Sequence, residues 1–78
     1  MHYLVVVEKG PTSFGAYVPD LPGCIAAGES REEVLTLIRE AIKFHLEGLR
    51  EDGHTIPSPS SSSEVVEVAA ASHGGDGQ

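Results

Sequence analysis

The chain opens on a run of apolar residues, Leu4-Val5-Val6-Val7, that has no helical spacing. Most of the run is β-branched, so residues 2–8 are predicted to form a strand. A nearly continuous run of this kind suits a strand covered on both faces, which places it centrally in a sheet. Gly10-Pro11-Thr12-Ser13 reads as a turn, because Pro presets φ and Gly frees it. From Phe14 to Val18 the pattern alternates. Phe14, Ala16 and Val18 fall on one face, Gly15 and Tyr17 on the other, and the two strands should pair as an antiparallel hairpin. Pro19-Asp20-Leu21-Pro22-Gly23 cannot continue a central strand, since its prolines lack the ladder donor. A short third strand of small side chains is expected over Cys24–Gly28.

The periodicity then changes to that of a helix, predicted over residues 31–52. Ser30-Arg31-Glu32-Glu33 has the form of a capping box, with Ser30 accepting from a free backbone N–H and Glu33 reaching back. Glu32 and Glu33 complement the positive end of the helix dipole, and Gly53 stands where a left-handed residue ends a helix. On a wheel of roughly 100° per residue, the apolar side chains fill an arc of about 200°, wider than one sheet face requires. Part of that arc, toward Leu37, Phe44 and Gly48 or toward Leu35 and Leu46, is expected to contact a second chain.

Beyond the helix, Ile56-Pro57-Ser58-Pro59 and the serines 60–63 offer almost nothing to pack. Residues 57–63 are expected to be a mobile or extended connector, and the serine run reads as linker rather than as a modification site. Glu64-Val65-Val66-Glu67-Val68 reads as a last strand, which the connector would let pair within its own subunit or with a neighbour. The expected organisation is one α+β domain: core 1–56, connector 57–63, last strand 64–68 and a disordered tail 69–78. Its sheet would have three or four antiparallel strands, with one long helix on one face.

Composition narrows the function. A chain of 78 residues supports one small domain. It buries only about 62% of its unfolded surface, which disfavours a deep enclosed cavity. The net charge is −7, with 5 basic and 12 acidic residues. That balance argues against nucleic-acid binding, which needs a basic footprint, and favours a basic protein partner. One Cys allows no internal disulfide and suits a reducing compartment. No leader or membrane span is visible, so a cytoplasmic location is expected.

One stretch is specific enough to suggest a family. Tyr3-Leu4-Val5-Val6-Val7-Glu8 is followed by Phe14-Gly15-Ala16-Tyr17-Val18-Pro19-Asp20-Leu21-Pro22-Gly23-Cys24, then Ala27-Gly28-Glu29-Ser30 and the Glu-rich helix. Together these resemble the HicB family of antitoxins and its short stand-alone relatives. The likeness is close over residues 3–53 and loose over 64–68. It implies a partial RNase-H-like β-β-β-α-β fold and a dimer or tetramer. It also implies binding to HicA, a small ribonuclease toxin that cleaves mRNA. Longer members add a C-terminal DNA-binding module. The residues after Val68 fit none, so operator binding is not expected.

Catalytic readings fare less well. Glu8, Asp20 and Glu29 invite a metal-dependent nuclease, but nothing in their spacing forces convergence, and Asp20 is expected to accept N–H bonds within its own turn. Cys24 has no readable Cys–His constellation and reads as a small buried residue. His45 lies near the middle of the apolar arc, as a core or an interface histidine. His2, His54 and His73 have no ligand spacing to it, so neither metal nor cofactor is expected. Tyr17 is either a partner anchor or a plain sheet residue. Glu residues alternating with Arg39, Lys43 and Arg50 suggest a solvated helix face.

The expected function is a non-enzymatic antitoxin or antitoxin-derived binding module that covers a basic toxin. The alternatives are an oligomeric scaffold without a toxin and, less favoured, a minimal nuclease. The motif and charge complementarity nominate Tyr17, Asp20, Leu21, Pro22, Glu40 and Glu47 for partner contact. Leu37, Phe44, His45 and Gly48 are the oligomer-interface candidates.

Overall fold

A computed structural model of the chain describes residues 1–69. Strands β1 (Val6–Lys9), β2 (Phe14–Tyr17) and β3 (Ile25–Gly28) precede one helix, α1 (Arg31–Glu51). The strands form a single antiparallel sheet in the order β1-β2-β3. The helix packs on one face, chiefly against β3 and β2. This is the expected α+β arrangement.

Two expectations about strands need correction. First, β1 lies at the edge of the sheet, because the hairpin and the β2–β3 turn make β2 the central strand. The ladder starts at Val6, opposite Tyr17, so residues 2–5 are outside it. Second, 64–68 forms no strand in this chain, and Val65, Val66 and Val68 are 96%, 70% and 79% exposed. Strand-forming residues make a strand only where their N–H and C=O groups meet a ladder. The connector carries this segment past the sheet without aligning it to an edge. The expected tail lies outside the described residues from position 70 onward.

Between β2 and β3 the chain makes two successive β-turns. Leu21 N–H donates to Val18 O at 3.0 Å and Cys24 N–H to Leu21 O at 3.0 Å, while Val18 N–H closes the loop onto Cys24 O at 3.2 Å. Each turn has Pro at its second position, where a φ near −65° is required. The second also has Gly23 at φ +86° in its third position, as a type II turn demands. The prolines that bar this segment from a central strand thus build the turn that joins β2 to β3. Leu21, between the two turns, is 0% exposed and drops into the core.

The rest of the core is Ala16, Val18 and Cys24 from the sheet side with Val34 and Ile38 from the helix. Alternation puts Phe14, Ala16 and Val18 under the helix, as expected from their spacing. The helix termini also match their signals. Ser30 Oγ accepts from Glu33 N–H at 3.0 Å. Glu33 Oε1 reaches back to Glu29 N–H at 2.6 Å, one residue before the cap. At the other end Gly53 takes φ +76°. His54 N–H then reaches Leu49 O and Gly53 N–H reaches Arg50 O, a Schellman arrangement.

At the end of β3 the sheet and helix approach so closely that a Cβ on Gly28 would stand 3.1 Å from Val34 N and 3.1 Å from Glu33 Oε1. The Val34 backbone cannot yield without disturbing the cap. Replacing Gly28→Val should therefore destabilise the fold by about 1–3 kcal/mol, the usual range for overpacking. Urea unfolding followed by circular dichroism measures it. A loss much below that range would mean that the β3–α1 junction is slack.

Candidate functional site

The sequence candidates divide between a loop and the two exposed faces of the domain. In the loop, Asp20 does not bond within its own turn, as was expected. Its carboxylate instead grips the connector. Oδ2 accepts from the N–H groups of Ser60 and Ser61, both at 2.9 Å. Oδ1 accepts from the hydroxyls of Ser60 at 3.0 Å and Ser61 at 2.8 Å. A second tie joins the Tyr3 hydroxyl to Pro57 O. The connector is therefore tied to the domain at Pro57 and at Ser60 and Ser61. These bonds all favour the ionised carboxylate, above all the N–H of Ser61, and they hold the Asp20 pKa at about 2 against an ordinary 3.8.

The remaining loop candidates have separate fates. Leu21 anchors the loop from beneath and forms none of its outer surface, a correction to its nomination as a contact residue. Pro22 is exposed. Cys24 is buried, and burial pushes its thiol pKa up, which leaves it a poor nucleophile. Among the described residues no cluster of three or more His, Cys, Asp or Glu side chains is placed to hold a metal ion.

Tyr17 lies on the sheet face turned away from α1. Register places it between Val6 and Ile25 across the strands, and it is 39% exposed. Glu40 and Glu47 are on the helix, on the other side of the domain. The six nominated contact residues thus do not form one surface.

What does converge is a helical stripe. Leu37, Glu40, Phe44, Glu47 and Glu51 are spaced three and four apart, so they share one side of α1. All are exposed, Phe44 at 78%. Arg39 and Lys43 fall on the adjoining arc, and Arg50 lines a shallow surface depression with Glu47 and Glu51. Arg39 and Lys43 border a groove there, together with Tyr3 and Val5. The carboxylates and cations of the helix are thus neighbours at three- and four-residue spacing, in keeping with the alternation along the sequence. His45 and Gly48 are half-buried, and Leu37 and Phe44 are the exposed members of the oligomer set.

The fold and these surfaces define a small acidic α+β module whose exposed chemistry suits contact with another protein. The chain belongs to the HicB-like antitoxin family. The model of that family, described as HicB-like antitoxin of bacterial toxin-antitoxin system, matches residues 3–74. The chain is 35% identical over 72 residues to Antitoxin HicB 2 of Photorhabdus laumondii, covering 91% of this chain and 52% of that one. It is 40% identical over 57 residues to an uncharacterized 14.9 kDa protein of Haemophilus phage HP1, covering 73% of this chain and 43% of the phage protein. A UPF0150 protein of Thermoplasma acidophilum is 36% identical over 58 residues, 73% of this chain and 84% of its own. The chain thus spans about half the length of the first two relatives and most of the third. Among solved structures, a chain of the HicA3 and HicB3 toxin-antitoxin complex superposes with a TM-score of 0.66 at 32% identity, covering 77% of this chain and 70% of that one. No helix among the described residues is long and apolar enough to cross a membrane.

The Asp20 clasp makes a pH prediction. Because the folded pKa is below the unfolded value, its contribution to stability is complete above pH 3.8 and is lost as pH falls through about 2. The connector should detach within that window, seen as loss of amide protection at Ser60 and Ser61. In Asp20→Asn the same amides should exchange unprotected at neutral pH while α1 keeps its protection. Retained protection in the variant would show the clasp to be dispensable.

Proposed function

We infer that this chain acts as an antitoxin that neutralises a HicA-type toxin by covering it, with the acidic stripe of α1 as the contact surface. The observation that carries the reading is the stripe itself. An exposed aromatic anchor, Phe44, sits among Glu40, Glu47 and Glu51 on the fold of a chain found in a toxin-antitoxin complex. An aromatic that is exposed in the free chain and buried on binding, ringed by contacts that exclude water, is a common energetic centre of an interface. Acidic charge steers the approach of a basic partner and disfavours neutral or acidic ones. The net charge of −7 acts in the same sense over longer range. Inhibition of this kind is steric and electrostatic and asks no catalysis of the antitoxin. Tyr17 and Pro22, on the far face and the loop, would serve a larger wrapping contact.

Coexpression with a HicA-type toxin from the source genome tests the reading. The chain should restore growth and co-purify with the toxin, and binding should weaken as salt rises. Phe44→Ala should cost on the order of 2 kcal/mol of affinity. Glu40→Lys combined with Glu47→Lys should reduce affinity roughly tenfold or more, mainly through a slower on-rate. A toxin that remains lethal and unbound beside the folded chain would overturn the reading. Full affinity in both variants would move the contact to another surface.

A further inference from the structure

The groove beside the helix has a chemistry unlike the rest of the chain. It holds about 390 Å³ between residues 1–5 and α1. Val5, Leu35, Ile38 and Ile42 give it an apolar floor, and Arg39 and Lys43 stand at its border. The chain has 12 acidic residues against 5 basic ones. Two of those cations are nevertheless here, and no carboxylate is among the described residues that line the space. The cations are also poorly satisfied by their own helix. The positions three and four away from Arg39 are Leu35, Thr36, Ile42 and Lys43, so no carboxylate neighbours it along α1. Its one charged neighbour at that spacing is Lys43, and like charges four apart destabilise a helix. An anion seated between the two heads would relieve that repulsion. The floor is incomplete as well. Val5, Leu35 and Ile42 are only half-buried, so apolar surface stays in contact with solvent in the free chain.

Size and charge select the occupant. The volume is that of a small-ligand site, which is characteristically apolar with a few convergent polar groups. From Leu35 to Ile42 the helix rises about 10 Å, the reach of a medium-length alkyl chain. A net charge of −7 repels an anionic bilayer surface, which favours a free molecule over a membrane lipid. We propose that this groove binds a free single-chain alkyl carboxylate. The alkyl chain lies along Val5, Leu35, Ile38 and Ile42, and the carboxylate is held between Arg39 and Lys43. The site takes nothing from the acidic stripe, so it neither needs nor blocks a basic partner at Phe44.

Titration calorimetry of the full chain with decanoate, below its micellar concentration, provides the test. Decanoate should bind at a single site per chain. Octanoate should bind roughly fifteenfold more weakly, about fourfold for each methylene lost. Octyltrimethylammonium carries the same chain with the opposite charge and should give no measurable binding. Arg39→Gln with Lys43→Gln should weaken decanoate at least about tenfold. Both side chains are exposed, and circular dichroism confirms that the variant is folded. In a labelled chain, decanoate should shift the amide resonances of Val5, Leu35 and Ile42. Absence of binding at millimolar decanoate overturns the proposal. Equal binding of the cationic amphiphile would overturn it too, as plain partition onto apolar surface. Unchanged affinity in the double variant, or shifts confined to the Phe44 side of the helix, would remove the ligand from this groove. Sedimentation with anionic vesicles in place of decanoate binding would assign the groove to a membrane and sink the proposal as stated. The titrations contain no toxin, so their outcome is independent of the antitoxin reading.

Discussion

One helix has to cover three strands, and it is too narrow to do so. Strands in a sheet lie about 4.8 Å apart, and a helix with its side chains is about 10–12 Å across. A single helix can shield two strands well and a third only at its margin. Here α1 favours β3 and β2, where Ala16, Ala26 and Gly28 are small enough to let it settle close. The cost falls on β1. Its valines are only half-buried, its outer edge is open, and a groove remains where a wider cover would have closed it.

The second organising element is a carboxylate. Asp20 projects from the first of two proline turns, a position held rigidly because Leu21, its neighbour, is locked in the core. That rigidity makes Asp20 an effective fixture for a segment with no hydrophobic means of attachment. Pro and Ser offer no apolar surface, so the connector can be held only through polar groups. Two N–H groups and two hydroxyls converging on one carboxylate do this, with the Tyr3 tie as support. The loop that most strongly resembles the family is therefore also the part that decides where the C-terminal segment leaves the domain.

Much of the fold was legible because its signals are local. The hairpin, the third strand and the helix with both caps follow from alternation, proline, a capping box and a glycine, each acting within a few residues. The helix was predicted over 31–52 and spans Arg31–Glu51. What escaped was non-local. Nothing near Asp20 indicates that its partners are forty residues away, and a serine run reads as linker whether or not a carboxylate awaits it. The apolar run of β1 was read as a central strand. That inference rests on burial on all sides, and in the isolated chain one of those sides is missing. The candidate site was half legible. Glu40 and Glu47 were nominated on charge, but their grouping with Phe44, and the separation of both from Tyr17, depends on which face of the sheet the helix occupies.

The charges of α1 serve two ends. Glu40 with Lys43 and Lys43 with Glu47 stand three and four apart, so part of the charge of the helix is satisfied locally and leaves little field at a distance. What that pairing leaves over is acidic, in keeping with a net charge of −7, and Phe44 stands exposed in its midst. Beside Arg39 and Lys43, the groove bordered by Tyr3 and Val5 is floored by apolar side chains. The helix thus presents an aromatic among carboxylates on one arc and cations above an apolar groove on the next, so the two arcs differ in both charge and polarity although they belong to a single element.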